Sequence, residues 1–224
     1  MPKRFSATIE DYLKAIYELT QEQERASTLG LAERMGVTAA SATGMIQRLA
    51  SLDPPLVDYQ KHHGVSLTAV GRQTALEIVR HHRLLEAFLQ QKLGYTWDEV
   101  HAEADRLEHV ISEDMEDRIS QALGNPSYDP HGDPIPTREF QMPVWSNVRM
   151  SDLHTGDNAT VQRINDTDPH LLRYLSSIQL TPNSRVTVLD VSPFDGNLHI
   201  EISGQRLPVV LGQKITSQIF VVKK

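Results

Sequence analysis

The N-terminal part of the chain has apolar residues at the spacing of three short helices. In residues 7–20 (ATIEDYLKAIYELT) they recur every three to four positions, which predicts a helix with Ser6 or Thr8 as its N-cap. Residues 27–35 predict a second helix and residues 38–50 a third, separated by a glycine-containing turn. This arrangement is typical of a helix-turn-helix, although purely structural helical hairpins share it.

Two short strands are predicted after the third helix. Asp53 and two prolines end that helix, because proline lacks the backbone N–H that a helix interior needs. Residues 56–59 and 64–68 alternate like strands on either side of a basic tip at 60–63, which adds a wing to the helix-turn-helix. Residues 68–94 then predict a long amphipathic helix.

The acidic stretch VHAEADRLEHVISEDMED holds several potential metal ligands. Read as part of one helix over 97–123, it places His101, Asp105 and Glu108 on one face, with His109 adjoining them. An apolar stripe is predicted beside that face, formed by Val100, Ala104, Leu107, Ile111 and Met115. Carboxylates and imidazoles that converge at the edge of a core can bind a divalent cation. A solvated acidic helix with incidental histidines is the alternative.

The last third of the chain is predicted to consist mainly of short β-strands. Residues 124–143 hold five prolines and two glycines, which predicts an extended connector or linker. A short helix is predicted over 168–180. Four strands are predicted, at 159–164, 185–189, 198–202 and 218–222. Closely spaced strands of this kind indicate a small barrel.

Composition and charge narrow the classes of protein. No apolar run of the 224 residues approaches the ~20 that a membrane span needs, and the absence of cysteine excludes disulfides, thiolate zinc sites and a cysteine nucleophile. We therefore expect a cytoplasmic protein with no membrane partner. The net charge of −7 is concentrated in residues 84–140, which carry thirteen acidic and four basic side chains. Residues 1–83 are nearly neutral, so DNA contacts there must come from local clustering.

Several motifs, in the same order along the chain, resemble the diphtheria toxin repressor family of metal-dependent transcriptional repressors. The resemblance rests on TIEDYLKAIYEL, LAERMGVTAASATGMIQRL, GVSLTAVGRQTA, HHRLLEAFL, VHAEADRLEHVIS and DPHLLRYLSSIQLTPNSRVTVLDVSPFDG. It implies a mainly α chain with a C-terminal β domain. The expected parts are a winged helix-turn-helix DNA-binding domain at 1–75, a helical metal-binding and dimerisation domain at 76–143, and a small Src-homology-3-like (FeoA-like) barrel at 144–224.

The resemblance also implies a primary metal site. Its ligands, by matching motif positions, would be Asp11, Asp105, Glu108 and His109. Iron-type members have methionine at the position of Asp11 and cysteine at that of Asp105, whereas manganese-type members have oxygen ligands at both. The two aspartates favour Mn²⁺, with Fe²⁺ as the alternative, because hard oxygen donors suit both ions.

An ancillary metal site is implied at His82, Glu86 and His101, for which a hydrogen-bonded or salt-bridged cluster is the alternative. Lys14 departs from manganese-type two-domain members, in which a glutamate at this position helps to build a paired-metal site. A protonated lysine cannot coordinate and repels a nearby cation, so we expect separated primary and ancillary sites. The motif match leaves open further ligands from the barrel, namely Asp166, Asp168 or His170.

For DNA binding, the matched recognition helix is 38–49. Small side chains let a helix backbone approach the groove, and hydroxyl groups can bond phosphates. The residues expected at or near its exposed face are Thr38, Ala40, Ser41, Thr43, Gly44 and Gln47; all but Gly44, where some relatives have a glutamine, are expected DNA contacts. Arg48 and the wing residues Lys61 and His62 are expected phosphate partners; for Arg48 a salt bridge with a nearby acid is the alternative.

We therefore expect a homodimeric, metal-activated repressor that binds palindromic operator DNA, controls metal-ion homeostasis and is not an enzyme. A metallohydrolase that uses the same cluster around a metal-bound water is a rival hypothesis. The chain contains no HExxH motif, nucleophile elbow or phosphate-binding glycine loop, which weakens that hypothesis. A third possibility is a metal-free winged-helix protein whose barrel binds peptides or another protein.

Overall fold

The computed structural model describes residues 5–21, 23–165 and 168–224. The described residues divide into two compact units. The first comprises Met1–His81, Glu108–Ile111 and Pro136–Gln141; the second comprises His82–Leu107, Ser112–Ile135 and Met142–Lys224. The three domain boundaries expected from the sequence stay a prediction.

Three helices form the base of the first unit, as predicted. They are α1 (Ala7–Leu19), α2 (Thr28–Arg34) and α3 (Ala39–Ala50). The apolar periodicity of the sequence becomes their shared core, because its members are buried: Leu13, Ile16, Leu31, Ile46 and Leu49. Side-chain hydroxyls cap the starts of α2 and α3, where Ser27 accepts from the N–H of Gly30 and Thr38 accepts from the N–H of Ser41.

The predicted wing is a two-stranded antiparallel hairpin of β1 (Val57–Gln60) and β2 (Gly64–Leu67). Arg25 ties it to the segment before α2. Its guanidinium donates to a side-chain oxygen of Asp58 at 2.9 Å and to the backbone carbonyl oxygen of Gly64 at 3.3 Å. The wing is therefore held on the helix-turn-helix by a charge-assisted hydrogen bond as well as by packing.

The prediction of a single helix over 97–123 is wrong. The chain forms α4 (Ala69–Leu93), then α5 (Val100–Leu107) and α6 (Glu113–Ala122), with a non-helical segment between the last two. Ser112 starts α6, because its hydroxyl accepts the N–H of Met115. Three acidic residues in the first turn favour this start through the helix dipole. Met115 is consequently 47% exposed, so the predicted apolar stripe does not continue to it.

The second unit contains a five-stranded antiparallel sheet with the order β6-β5-β4-β3-β7. Its strands are β3 (Asn158–Ile164), β4 (Arg185–Val191), β5 (Leu198–Ile202), β6 (Val209–Leu211) and β7 (Ile219–Lys223). Two short helices, α7 (Pro169–Ser177) and α8 (Gln213–Thr216), accompany it. The sequence analysis missed β6, because a three-residue edge strand is too short to show an alternating pattern. No helix in the described parts of the chain has the length and apolarity to cross a membrane.

The prediction of an extended connector over 124–143 is wrong for its central part. His131 and Ile135 are buried, with exposed fractions of 0% and 2%. The carboxylate of Asp129 accepts the backbone N–H groups of His131 and Asp133, at 2.8 and 2.9 Å, which closes the segment into a turn. Prolines and glycines here build a packed loop.

Two helical glycines test how closely the start of α4 packs on the segment before β1. A Cβ added to Gly71, in α4, would lie 1.9 Å from the carbonyl oxygen of Leu56, whereas one added to Gly44, in α3, has no neighbour within 4 Å. We expect Gly71→Ala to lower the free energy of unfolding by about 1–3 kcal/mol. We expect the matched control Gly44→Ala to raise it by about 0.5–1 kcal/mol, because alanine is the better helix former. Urea unfolding followed by circular dichroism measures both; a stabilised Gly71→Ala would contradict the close approach.

Candidate metal centre and DNA-binding surface

Three of the predicted primary ligands meet in the first unit. Asp11 lies on α1, and Glu108 and His109 lie just after α5, on the segment that leaves the helix. Nε2 of His109 is 2.9 Å from Oδ1 of Asp11 and 3.5 Å from Oε1 of Glu108. One ligand atom from each residue lies within 4.8 Å of the others. We call these three residues the first cluster.

His109 is held between two carboxylates. Its other ring nitrogen, Nδ1, is 2.8 Å from Oε2 of the buried Glu10. Hydrogen bonds with Asp11 and Glu10 raise the pKa of His109 to about 10, against the effect of partial burial. Without a metal, the imidazole therefore carries a proton at neutral pH and acts as a counter-charge for the acids.

Lys14 provides a second positive charge. Its ammonium group donates to Oε2 of Glu108 at 2.8 Å, and the two side chains are only 11% and 1% exposed. Nδ1 of His81 lies 3.0 Å from the backbone carbonyl oxygen of Glu108. Glu108 is thus fixed through both its side chain and its backbone, and its other carboxylate oxygen is the one that approaches His109.

The three predicted ancillary ligands meet in the second unit. Nε2 of His82 and Nδ1 of His101 lie 2.8 and 3.0 Å from Oε1 of Glu86. The spacing predicted this group, since His82 and Glu86 are one helical turn apart on α4. Asp105, predicted as a primary ligand, contacts these histidines, with its oxygens 3.3 Å from Nδ1 of His82 and 3.7 Å from Nε2 of His101. Its assignment to the primary site stays a prediction.

Two further residues that the sequence analysis did not select complete this group. His131 approaches the other oxygen of Glu86, at 3.6 Å from Nδ1, and Asp129 adds a buried carboxylate. The run DPHGD could have identified them, because its aspartate and histidine are two positions apart among residues that favour turns. The two groups share Glu86, whose Oε1 faces His82 and His101 and whose Oε2 faces His131. We call their five residues the second cluster: His82, Glu86, His101, Asp129 and His131.

The two carboxylates of the second cluster differ electrostatically. Burial raises the pKa of Glu86, but the charge of His82 and hydrogen bonds with His101, His131 and His82 outweigh it, so the pKa lies well below its usual range. Burial and the nearby charges of Glu86 and Asp133 raise the pKa of Asp129 well above its usual range. Imidazoles surround Glu86, whereas Asp129 faces two acids, Glu86 and Asp133, as well as His131 and the guanidinium of Arg83, whose Nε lies 3.9 Å from Oδ2 of Asp129.

Both clusters fit a divalent cation by the chemistry of their donors. Each offers carboxylate oxygens and imidazole nitrogens from converging side chains, and the chain has no cysteine to add a thiolate. Oxygen-rich sets with imidazole suit Mn²⁺ and Fe²⁺. The possible barrel ligands have other partners: Asp168 caps α7 through the N–H groups of His170 and Leu171, and His170 lies 3.1 Å from the guanidinium of Arg173. Asp166 lies outside the described residues.

The predicted DNA-contacting residues lie on the outer side of α3. Ala42, Ile46 and Leu49 face the core, while the predicted contact residues are exposed or half-buried: Thr38, Ala40, Ser41, Thr43 and Gln47. Some hydroxyl groups already have local partners, since Thr38 pairs with Ser41 at 2.9 Å and Thr43 donates to the carbonyl oxygen of Ala39. Contact with DNA itself stays a prediction.

The predicted phosphate partners are exposed as well. Arg48 lies in the last turn of α3, and Lys61 and His62 lie at the tip of the wing. Arg48 has no ion pair with any residue in the described ranges, so the alternative of a salt bridge lacks support. The exposed cations of Arg48 and Lys61 and the exposed imidazole of His62 are available to an anionic partner.

The raised pKa of His109 predicts how stability depends on pH in the metal-free protein. A group whose pKa is higher in the folded than in the unfolded state stabilises the fold when it is protonated. For His109 this stabilisation is complete below pH 6.5, the pKa in the unfolded state, and is lost as the pH rises through about 10, the pKa in the folded state. We expect the difference in unfolding free energy between wild type and His109→Gln, measured in chelator, to shrink between these two pH values. The exposed His154→Gln is the matched control. A constant difference for His109→Gln would contradict the charged imidazole.

The buried pair of Lys14 and Glu108 predicts a large effect on stability. Lys14→Met leaves the Glu108 carboxylate without this ammonium partner, and breaking a buried pair costs about 3–5 kcal/mol. Lys92→Met, at an exposed position in α4, should change the unfolding free energy by less than about 0.5 kcal/mol. Urea unfolding in chelator measures both variants. Equal stability of the two would show that the pair contributes nothing.

Family models match three consecutive parts of the chain. Residues 4–65 match the N-terminal DNA-binding domain of iron-dependent repressors, and residues 68–137 match their metal-binding and dimerisation domain. Residues 148–223 match the FeoA domain. These matches confirm the predicted fold class, a winged helix-turn-helix followed by a helical domain and a Src-homology-3-like sheet domain.

Relatives of known name are similar over most of the chain. The iron-dependent repressor IdeR of Mycobacterium leprae (strain TN) is 34% identical over 210 residues, which cover 88% of this chain and 89% of the relative. The diphtheria toxin repressor of Corynebacterium jeikeium (strain K411) is 31% identical over 166 residues, 72% of this chain and 68% of the relative. Such relatives are transcriptional repressors, so the metallohydrolase hypothesis is wrong and the chain is not an enzyme.

Solved structures agree with this assignment. A manganese-dependent transcriptional repressor in complex with manganese superposes with a TM-score of 0.89 and 44% identity, and the match covers 96% of this chain and all of that one. The repressor ScaR with bound Zn²⁺ has a TM-score of 0.80 and 31% identity, covering 96% of this chain and 99% of ScaR. The matched domains indicate operator DNA and a second copy of the chain as partners. The chain therefore belongs to the diphtheria toxin repressor family of metal-dependent transcriptional repressors.

Proposed function

We propose that this repressor is activated by Mn²⁺ and controls genes of metal-ion homeostasis in the cytoplasm. The observation that carries the choice of metal is the donor set of the first cluster: Asp11 supplies carboxylate oxygens where a softer site would have a thioether. A solved relative at 44% identity is named as manganese-dependent, whereas IdeR is named as iron-dependent. Fe²⁺ is the alternative activator.

The proposed primary ligands are Asp11, Glu108 and His109, with Asp105 as the fourth. The proposed ancillary ligands are His82, Glu86 and His101. Lys14 supports two separated sites, because its ammonium is bonded to Glu108 and would repel a second cation at that carboxylate. The domain division proposed for these tasks is 1–75 for DNA, 76–143 for metal binding and dimerisation, and 144–224 for the barrel.

The proposed switch follows from charge at the first cluster. Asp11 and Glu108 are acids brought together from α1 and from the segment after α5, and the protonated His109 and Lys14 balance them in the metal-free state. A bound divalent cation supplies positive charge and ligand bonds at the same place. His109 then gives up its proton, so binding releases protons and weakens in acid.

The consequence for DNA is geometric. Fixing α1 to residues 108–109 holds the helix-turn-helix, and with it α3, in one orientation within the homodimer. Two copies of α3 can then enter major grooves about one helical turn apart, which requires a palindromic operator. The proposed contacts are Thr38, Ala40, Ser41, Thr43 and Gln47 in the groove, with Arg48, Lys61 and His62 at phosphates. Coupling is reciprocal, so operator DNA should tighten metal binding by the same factor.

Operator binding with controlled metal tests this proposal. DNA fragments enriched from a random library in MnCl₂ serve as operators, and affinity is measured in chelator, in MnCl₂ and, without oxygen, in FeCl₂. We expect Mn²⁺ to tighten binding by wild type roughly 5–150-fold, the usual range of allosteric coupling, and Asp11→Ala to lose that gain. Asp114→Ala, which removes an exposed carboxylate of α6, should respond like wild type.

Two outcomes would contradict the proposal. Wild-type binding of equal affinity in chelator and in MnCl₂ would remove the switch. A response to Fe²⁺ at free concentrations where Mn²⁺ has no effect would replace manganese by iron as the activator.

A further inference from the structure

The loop of residues 128–135 is a rigid unit that carries two members of the second cluster. Oδ1 of Asp129 accepts the N–H groups of His131 and Asp133, and the N–H of Asp129 donates to the carbonyl oxygen of Asp133 at 3.0 Å. Tyr128 and Pro134 form a β-bridge that closes its ends. The side chain that shapes the loop is therefore itself part of the cluster.

Strand β3 supports this loop through its backbone. The N–H of Ile164 donates to the carbonyl oxygen of His131 at 2.9 Å. Gly132 has a φ of +88°, and a Cβ added there would lie 1.8 Å from the carbonyl oxygen of Gln162. The loop can pack this closely on the strand only because residue 132 has no side chain.

Arg163 of β3 supports the loop through its side chain. Its guanidinium lies 3.4 Å from Oδ1 of Asp133 and 3.7 Å from the ring centroid of Phe220, on the neighbouring strand β7. The aromatic ring holds the planar group in place, and the group in turn holds Asp133. Arg83 of α4 also lies 3.4 Å from Oδ1 of Asp133 and donates to the carbonyl oxygen of Pro134, so the sheet shares the support of the loop with α4.

The opposite side of the loop faces the cluster. Nε2 of His131 lies 2.7 Å from the carbonyl oxygen of Trp97, and the His131 ring stacks on the Trp97 indole with centroids 5.8 Å apart. Its Nδ1 thus points toward Glu86. Oδ2 of Asp129 is buried and accepts no hydrogen bond within the described residues. Both side chains are aimed at one place before any ligand arrives.

We propose that Gly132 and Arg163 are positioning residues of the second cluster, through which the C-terminal sheet sets the affinity of that cluster for a divalent cation. The proposal rests on the proposed function, since it takes the second cluster as a metal site. A loop held in its binding conformation loses little entropy when a cation binds. Disturbing groups that orient metal ligands typically weakens binding 10–100-fold, and we expect an effect of that size.

The experiment isolates the second cluster in the full chain by using Asp11→Ala as the background and MnCl₂ as the probe. Equilibrium dialysis and calorimetry give the number of bound ions and the affinity. Adding Gly132→Ala should weaken binding of Mn²⁺ 10–100-fold. The matched control is Gly156→Ala, because Gly156 has a φ of +89° but a Cβ there has no neighbour within 4 Å. Both variants carry the same backbone strain, so only the close approach to β3 distinguishes them.

A second pair of variants covers the case in which Gly132→Ala does not fold. Arg163→Gln removes the contacts with Asp133 and Phe220, and Arg185→Gln removes an exposed arginine from β4 as its control. Trp97 adds a spectroscopic readout: in a Trp145→Phe background, quenching of its fluorescence by paramagnetic Mn²⁺ reports binding beside His131.

The outcomes separate the two proposals. Equal Mn²⁺ affinity in Gly132→Ala and Gly156→Ala, or in Arg163→Gln and Arg185→Gln, overturns the positioning role. If the Asp11→Ala background binds no Mn²⁺ while the chain with Asp11 intact does, the positioning proposal fails and the proposed function stands. If the intact chain binds no Mn²⁺ at all, the proposed function fails as well.

Discussion

Buried carboxylate charge is the constraint on which both clusters depend. A carboxylate removed from water is unstable unless positive charge or hydrogen-bond donors replace its hydration. Glu108 meets this condition with the ammonium of Lys14, and Glu10 meets it with His109, which also contacts the half-exposed Asp11. Each group that balances an acid here is a side chain of the protein, so these negative charges are compensated in the metal-free state as well.

The second cluster satisfies the same condition with imidazoles. Glu86 is fully buried among His82, His101 and His131, which keep its pKa low in spite of burial. Asp129 is less well compensated, because burial and then the charges of Glu86 and Asp133 raise its pKa. If both clusters bind a cation as proposed, the cation replaces protons there, and proton release and metal binding are linked.

The break between α5 and α6 shows how local signals change a site. Helical periodicity alone placed four potential ligands on one continuous helix. The hydroxyl of Ser112 and the acidic first turn of α6 start a new helix, so Glu108 and His109 lie on the segment that leaves α5. There they meet Asp11 in the first unit, whereas Asp105 remains on α5 beside the histidines of the second. The N-cap at Ser112 therefore separates the potential ligands: Glu108 and His109 lie in the first unit with Asp11, and Asp105 lies in the second.

The sequence by itself determined the helix-turn-helix, the wing, most strands and the identity of most potential ligands. These depend on local periodicity, capping and the order of motifs, which are readable along the chain. Only the tertiary structure showed that Asp129 and His131 belong beside Glu86, because a proline-rich run reads as a connector until Gly132 and Arg163 dock it on β3. It also showed the partner of Lys14, which lies 94 positions away at Glu108. Contacts between residues so far apart depend on the packed chain, and no local pattern encodes them.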